Sequence, residues 1–355
     1  MFRAALSVLL LTVCAAPLTA QGSGWAALRA GRNQEAAEAF AAAIAAEPRD
    51  PSLHLGAGLA AFLLGQTTTA RHSLERALAM APSLTQASLL LGDVLYRGSD
   101  IDGAIRVYES ALQYAPADET LAARLETLRS EAARHGTFFT SHGTHFTVLF
   151  EGPADEALAS RAIEILEAAY WRVGTALSIY PEQVVTVVLY TQEQFRDVTR
   201  SPQWAAAAYD GRIRVPVRGT AAGSRELERV LAHEITHALV QIVARRTVPM
   251  WLHEGLAVMF EPGGDEWIDA QLSKSDARLP LVRLAGGFSA LSTADARMAY
   301  AQSAAIVRTL FERGGAAAVG AVLQDIARGE TFTDAFERHF FVTYDAFIAS
   351  LEVAR

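Results

Sequence analysis

Five consecutive residues, His233-Glu234-Ile235-Thr236-His237, combine two imidazoles and a carboxylate at a spacing that suits metal chemistry. On a helix, residues four apart lie one turn above each other, so both rings can reach one cation. Glu234 is turned aside by one residue, where its carboxylate can meet a water on the metal rather than the metal itself. A catalytic zinc needs three protein ligands and one open position. The next acidic candidate is Glu254, in Trp251-Leu252-His253-Glu254-Gly255-Leu256-Ala257, seventeen residues after His237. It would complete a two-histidine, one-glutamate set. His253 is the alternative third ligand, but on a helix it points about 100° away from Glu254, so only one of the two faces the metal.

These residues must be carried by helices. Ser224 is placed to cap a helix running to about Ala244, with Glu226 and Glu228 at its positive end. Leu227, Val230, Leu231, Ala238 and Leu239 surround the histidines, so this is a core helix. Pro249 starts the second helix, and Gly255 and Ala257 allow close packing. Upstream, 145–151 alternates as a strand, 154–179 is a long amphipathic helix and 183–190 is a buried β-branched run. In 211–217, Ile213, Val215 and Val217 alternate with Arg212 and Arg214, and Pro216 predicts an edge strand. Such an edge could pair with an extended peptide. Arg212, Arg214 and Arg218 could favour acidic substrates or form a solvated basic face. From about Asp295 the chain reads as helical.

The first third repeats. Pro48, Pro82 and Pro116 stand 34 residues apart, as do Gly24, Gly58 and Gly92, and Ala36, Ala70 and Ala104. Phe40, Leu74 and Tyr108 keep one large residue in register, and Ala43, Ala77 and Ala111 one small residue. A 34-residue period closed by proline is the tetratricopeptide signature. Three repeats are predicted over Gln21–Asp118, the first with its opening helix shortened by the segment before it. The large residues fill the gaps between neighbours. A capping helix over Glu119–Arg134 turns Leu121, Leu125 and Leu128 inward. The array is either a peptide-binding groove or a platform. His54 and His72 read as surface or groove residues.

Hydrophobic residues make up 51% and charged residues 20% of the 355, enough for a packed core. The net charge of −8 argues against nucleic acid as a partner. Residues 1–20 read as an export signal, with Arg3, an apolar run and Ala20 as the cleavage point. A lipoprotein signal at Cys14 fits less well, because Val13 is bulky. The mature chain would then have no cysteine, no membrane span and a periplasmic or extracellular location.

HEITH followed by WLHEGLA resembles the gluzincin branch of zinc metallopeptidases, in particular the Peptidase MA-like domains that often follow tetratricopeptide repeats. The resemblance spans roughly Thr137–Arg355. It implies Zn2+ held by His233, His237 and Glu254, with Glu234 as general base. It also implies an oxyanion donor from the C-terminal helices, for which Tyr300 is the candidate and Tyr209 the alternative. In several gluzincins an acidic residue four after the third ligand supports a ligand histidine. Here that position is Val258, so the support must come from elsewhere.

The expected architecture is therefore α+β: an all-α tetratricopeptide solenoid over 21–135, then a zincin-like α+β metallopeptidase domain over 136–355, helical from about 295. The expected activity is hydrolysis of peptide bonds in a peptide or protein substrate, with the repeats as a protein-interaction platform. A scaffold with a non-catalytic or highly selective metallopeptidase-like domain is the alternative. Hydrolysis of a non-peptide amide is a third reading. Asp265, Glu266 or Glu261 could anchor a free amine if the enzyme trims chain ends.

Overall fold

The computed structural model describes residues 16–152, 155–191, 193–195, 208–209, 211–217, 224–244, 248–275, 278–288 and 291–353. The chain divides into two compact units, Met1–Ser130 and Glu131–Arg355.

The first unit is built from helix pairs: α1 (Ala16–Arg29) with α2 (Asn33–Ala46), α3 (Pro51–Leu64) with α4 (Thr67–Met80), and α5 (Thr85–Arg97) with α6 (Ile101–Tyr114). The glycine and large-residue registers interlock. A methyl group added at Gly24 would lie 2.9 Å from the Phe40 ring, at Gly58 2.7 Å from Leu74, and at Gly92 2.2 Å from Tyr108. The large residue thus sits over the glycine of its own repeat. Phe40 also reaches the following repeat at Gly56, where an added methyl would lie 2.3 Å away. Helix α1 is as long as α2, and its first five residues belong to the segment read as an export signal. The rest of that signal, 1–15, lies outside the described residues. His54 is buried and bonds the Pro48 carbonyl at 3.0 Å, so it is a structural residue, whereas His72 is exposed. Asp118 caps α7 (Glu119–His135), accepting the Thr120 and Leu121 amides, and Leu121, Leu125 and Leu128 are buried.

The second unit contains a mixed five-stranded sheet in the order β1 (Phe139–His142), β2 (Phe146–Phe150), β3 (Val185–Tyr190), β5 (Ile213–Pro216), β4 (Ala208–Tyr209). β2, β3 and β5 are mutually parallel, and β1 and β4 run antiparallel to their neighbours. Between β2 and β3 lies α8 (Glu156–Leu177). After the sheet come α9 (Arg225–Ala244), α10 (Met250–Met259), α11 (Gly264–Leu272), α12 (Leu281–Ala285), α13 (Thr293–Ala327), α14 (Phe332–Phe340) and α15 (Tyr344–Val353). Gly315, at φ +76°, breaks α13 into two segments. The core joins Phe146, Val148, Val187, Leu189, Ile213 and Val215 of the sheet to α8 and to Leu227, Leu231, Ile235 and Ala238 of α9. Among the described residues no helix is long and apolar enough to cross a membrane.

Two expectations about β5 are corrected. It is not an edge strand: β4 pairs with its outer side through Ala208↔Arg214 and Tyr209↔Ile213. Pro216 is tolerated because the Val217 amide donates to Tyr190 O at 2.8 Å, so the adjacent proline nitrogen faces away from β3. Nor do its arginines form a solvated or substrate-facing patch. Arg212 and Arg214 are 2% and 1% exposed. Arg214 donates to Glu131 at 3.1 Å and to the Tyr190 hydroxyl at 2.9 Å, and Arg212 reaches Glu131 at 3.4 Å. A buried charge is tolerable only when paired in this way. Arg218 lies outside the described residues.

Candidate metal centre

Helix α9 begins where Ser224 accepts the Leu227 amide at 3.2 Å. Its apolar face enters the core, and His233 and His237 emerge from one side, a turn apart. Helix α10 starts after Pro249 and packs against α9. Trp251 anchors this helix: it is 2% exposed, and its indole N–H donates to the Tyr344 hydroxyl at 3.2 Å. Gly255 lets α10 lie against α13, since an added methyl would stand 2.4 Å from the backbone oxygen of Ser303. This contact brings Glu254 and Tyr300 to the histidines.

Three ligand-type atoms converge there. His233 Nε2 and His237 Nε2 are 3.0 Å apart. Glu254 Oε2 lies 3.2 Å from His237 Nε2 and 3.6 Å from His233 Nε2. Bonds of about 2.0–2.1 Å at tetrahedral angles put ligand atoms roughly 3.3–3.4 Å apart. The triangle therefore has the size of one face of a zinc tetrahedron. Glu254 Oε2 is buried and its contacts with the imidazoles lack hydrogen-bond geometry, so among the described residues it has no hydrogen-bond partner. An acceptor left this way is costly unless a cation meets it. The donor set, two imidazoles and a carboxylate, suits zinc.

The electrostatics agree. Burial works to raise Glu254, but the His237 and His233 rings reverse this and hold it far below the usual carboxylate range. Burial opposes a charge on His233, yet Glu254 and Glu261 outweigh it and raise that imidazole to about 10. Glu234, 7% exposed, is raised by burial against the pull of both histidines. Tyr300 lies with its ring centroid 6.2 Å from that of His233 and is buttressed edge-on by Phe288 at 5.3 Å. Burial, then Glu254, Glu234 and Glu261, push its hydroxyl well above the ordinary range, so it stays a donor at neutral pH.

His253 does not join the triangle. Its ring lies parallel to that of His237, centroids 4.5 Å apart, and burial lowers it to about 3, so it is a neutral packing surface. The side chain of Tyr209 lies outside what is described.

Sequence reasoning missed the partner of His233. Glu261, seven residues after Glu254, accepts from His233 Nδ1 at 2.6 Å. This bond takes Glu261 away from the role of an amine anchor. Asp265 and Glu266 are exposed on α11. Arg229, one turn before His233, holds the other oxygen of Glu261 at 3.0 Å. The sequence signal was the turn Glu261-Pro262-Gly263-Gly264, which folds the end of α10 back toward α9. His145, on the far side of α8, is bound to Glu167 at 2.7 Å and stacked on Tyr170.

A tetratricopeptide repeat model matches residues 22–83 and 64–119. Two solved structures are similar to this chain over 33% of its length, each at 22% identity. The first tetratricopeptide domain of Spaghetti (RPAP3) bound to the HSP90 peptide SRMEEVD is covered over 95% at a TM-score of 0.32. The first such domain of human RPAP3, determined by NMR, is covered over 92% at a TM-score of 0.31. No curated protein matches the chain. The model of the Peptidase MA superfamily matches residues 172–350, a span containing all three converging ligand atoms, Glu234 and Tyr300. With tetratricopeptide repeats preceding a helix-borne His-His-Glu cluster, this chain belongs to the Peptidase MA superfamily.

Proposed function

We propose that this protein is an exported zinc-dependent peptidase whose repeats hold protein substrates or partners. The observation that carries the reading is the triangle of His233 Nε2, His237 Nε2 and Glu254 Oε2 beside the buried carboxylate of Glu234. His233, His237 and Glu254 would hold the ion. Zinc at this place supplies Lewis acidity, polarising the attacking water and the substrate carbonyl. Glu234 takes the proton released when water attacks the peptide carbon and hands it to the departing amine nitrogen. Its raised affinity for a proton suits both halves of that transfer. Tyr300 donates its hydroxyl to the oxygen that gains charge in the tetrahedral intermediate. Glu234 is 7% exposed, which limits the access of bulk water to its proton.

The superfamily also supports the coarser alternative, a protein-interaction scaffold with a silent peptidase-like domain. The two readings separate in one experiment on the mature chain. Glu234→Gln should retain about one zinc per chain and lose at least about 100-fold in hydrolysis of an unfolded protein substrate. Stoichiometric zinc with no hydrolysis by the unaltered protein would establish the scaffold instead. Export rests on the apolar segment before Gln21 and is checked by fractionating cells that express the full chain.

A further inference from the structure

A singly exposed aromatic residue is ordinary on a protein surface, whereas adjacent ones mark a place of contact. Trp171 and Tyr180 are 54% and 49% exposed. Their ring centroids lie 6.0 Å apart, with the planes inclined by 50°. Both rings abut Tyr170, at 5.5 and 6.5 Å. His145 backs the group, stacked on Tyr170 at 3.9 Å and edge-on to Trp171 at 5.6 Å.

The end of α8 holds these rings in place. Ser178 turns the chain with φ +55°, and the Ile179 amide donates to the Gly174 carbonyl at 3.1 Å. The turn lays Tyr180 on Gly174, where an added methyl would stand 2.8 Å from the ring. The Tyr170 hydroxyl then donates to the Pro181 carbonyl at 3.2 Å. Glu167, one turn before Trp171, accepts the His145 amide at 2.8 Å and holds its Nδ1 at 2.7 Å. The rings that these contacts hold lose little further freedom when something docks on them.

The platform is electrically one-sided. Aromatic rings present a negative face. Glu182, two residues after Tyr180, is exposed. Burial, and after it Glu167, Tyr180 and Glu182, raise the Tyr170 hydroxyl, so both carboxylates act on this group of rings. The neighbouring cation, Arg172, is engaged with the Phe260 carbonyl at 3.0 Å. Exposed ring faces bordered by carboxylates suit a positive group that keeps a hydrocarbon stem.

We propose that Trp171, Tyr180 and Glu182 form a docking site for a basic side chain, lysine or arginine, carried by a segment of a protein partner. The stem lies on the rings and the charge faces the carboxylate. None of these residues belongs to the metal centre, and the inference stands without the zinc reading.

The test is fluorescence anisotropy of a fluorescein-labelled peptide of four lysines separated by glycines, titrated with the full chain. Trp171→Ala should weaken binding about 2- to 20-fold. Glu182→Gln should weaken it about 2- to 5-fold and flatten its salt dependence. Glu312→Gln, which removes an exposed carboxylate of α13, should leave it unchanged. The same peptide with every lysine acetylated should bind at least about 10-fold more weakly. The substituted side chains are exposed, so the variants should melt with the unaltered protein. Equal affinity in Trp171→Ala and the unaltered protein, or equal losses in Glu182→Gln and Glu312→Gln, would reduce the attraction to overall acidity and overturn the site. Undiminished binding of the acetylated peptide would overturn it too. Binding of a β-1,4-linked N-acetylglucosamine tetramer that Trp171→Ala abolishes, with no binding of the lysine peptide, would overturn it and give the platform to glycans.

Discussion

At the residue scale, charge and burial govern behaviour on both faces of the second unit. His135 shows this away from the metal. Its Nε2 lies 2.8 Å from the Tyr190 hydroxyl. Burial lowers it to about 4; Glu131 pulls it up, and Arg212, Arg214 and Arg134 push it down again. An ordinary histidine in the unfolded chain titrates near 6.5. Between about pH 6.5 and 4 the unfolded chain therefore binds more protons than the folded one, and stability falls as pH falls through that window. Above about 6.5 the contribution is fully present. Denaturant titrations of the protein should show a loss of about 1–3 kcal/mol across the window, and His135→Gln should flatten it. The convergence of His233 and His237 was legible in the sequence because HEITH encodes its geometry locally, four residues to a turn. Arg212 and Arg214 were not. Alternation with Ile213 and Val215 says only that the two faces differ, and a buried ion cluster alternates as regularly as a wetted surface.

At the element scale, the helices that carry the centre depend on close approaches that a single atom can spoil. Gly255 is one. An added methyl meets backbone of α13 at 2.4 Å, and backbone cannot swing aside as a side chain can. Gly255→Ala should cost about 1–3 kcal/mol in stability and also weaken zinc binding, because it lifts Glu254 off the histidines; thermal melting and chelator competition read the two effects. An unchanged zinc affinity would show that α10 carries Glu254 independently of α13. The elements themselves were largely legible: α8, β2, β3, α9 and α10 follow from apolar periodicity, the Ser224 cap and Pro249. Two pieces were not. β4 has two residues, too few for any pattern, yet it moves β5 from the edge to the interior. Glu261 becomes the partner of His233 through a glycine turn, a tertiary event that helical spacing does not reach.

At the scale of the whole molecule, two architectures share one chain. The repeats were legible because three copies of a 34-residue period announce themselves, and each copy places its glycine under its own large residue. Their stability comes from contacts between neighbouring helix pairs. The second unit closes around the α9–α10–α13 junction and should gain stability from zinc. A ligand present at about a thousandfold its dissociation constant adds about 4 kcal/mol. Removing zinc with a chelator should therefore lower the melting transition of the second unit by several degrees and leave that of the repeats in place. A uniform shift of both transitions would show that the metal is not confined to one unit. The most direct test is an anomalous-difference map at the zinc absorption edge from crystals of the unaltered protein. The account predicts one peak per chain within about 2.0–2.2 Å of His233 Nε2, His237 Nε2 and a Glu254 carboxylate oxygen. A map with no peak there, or a zinc that the Glu254 carboxylate does not reach, would contradict it.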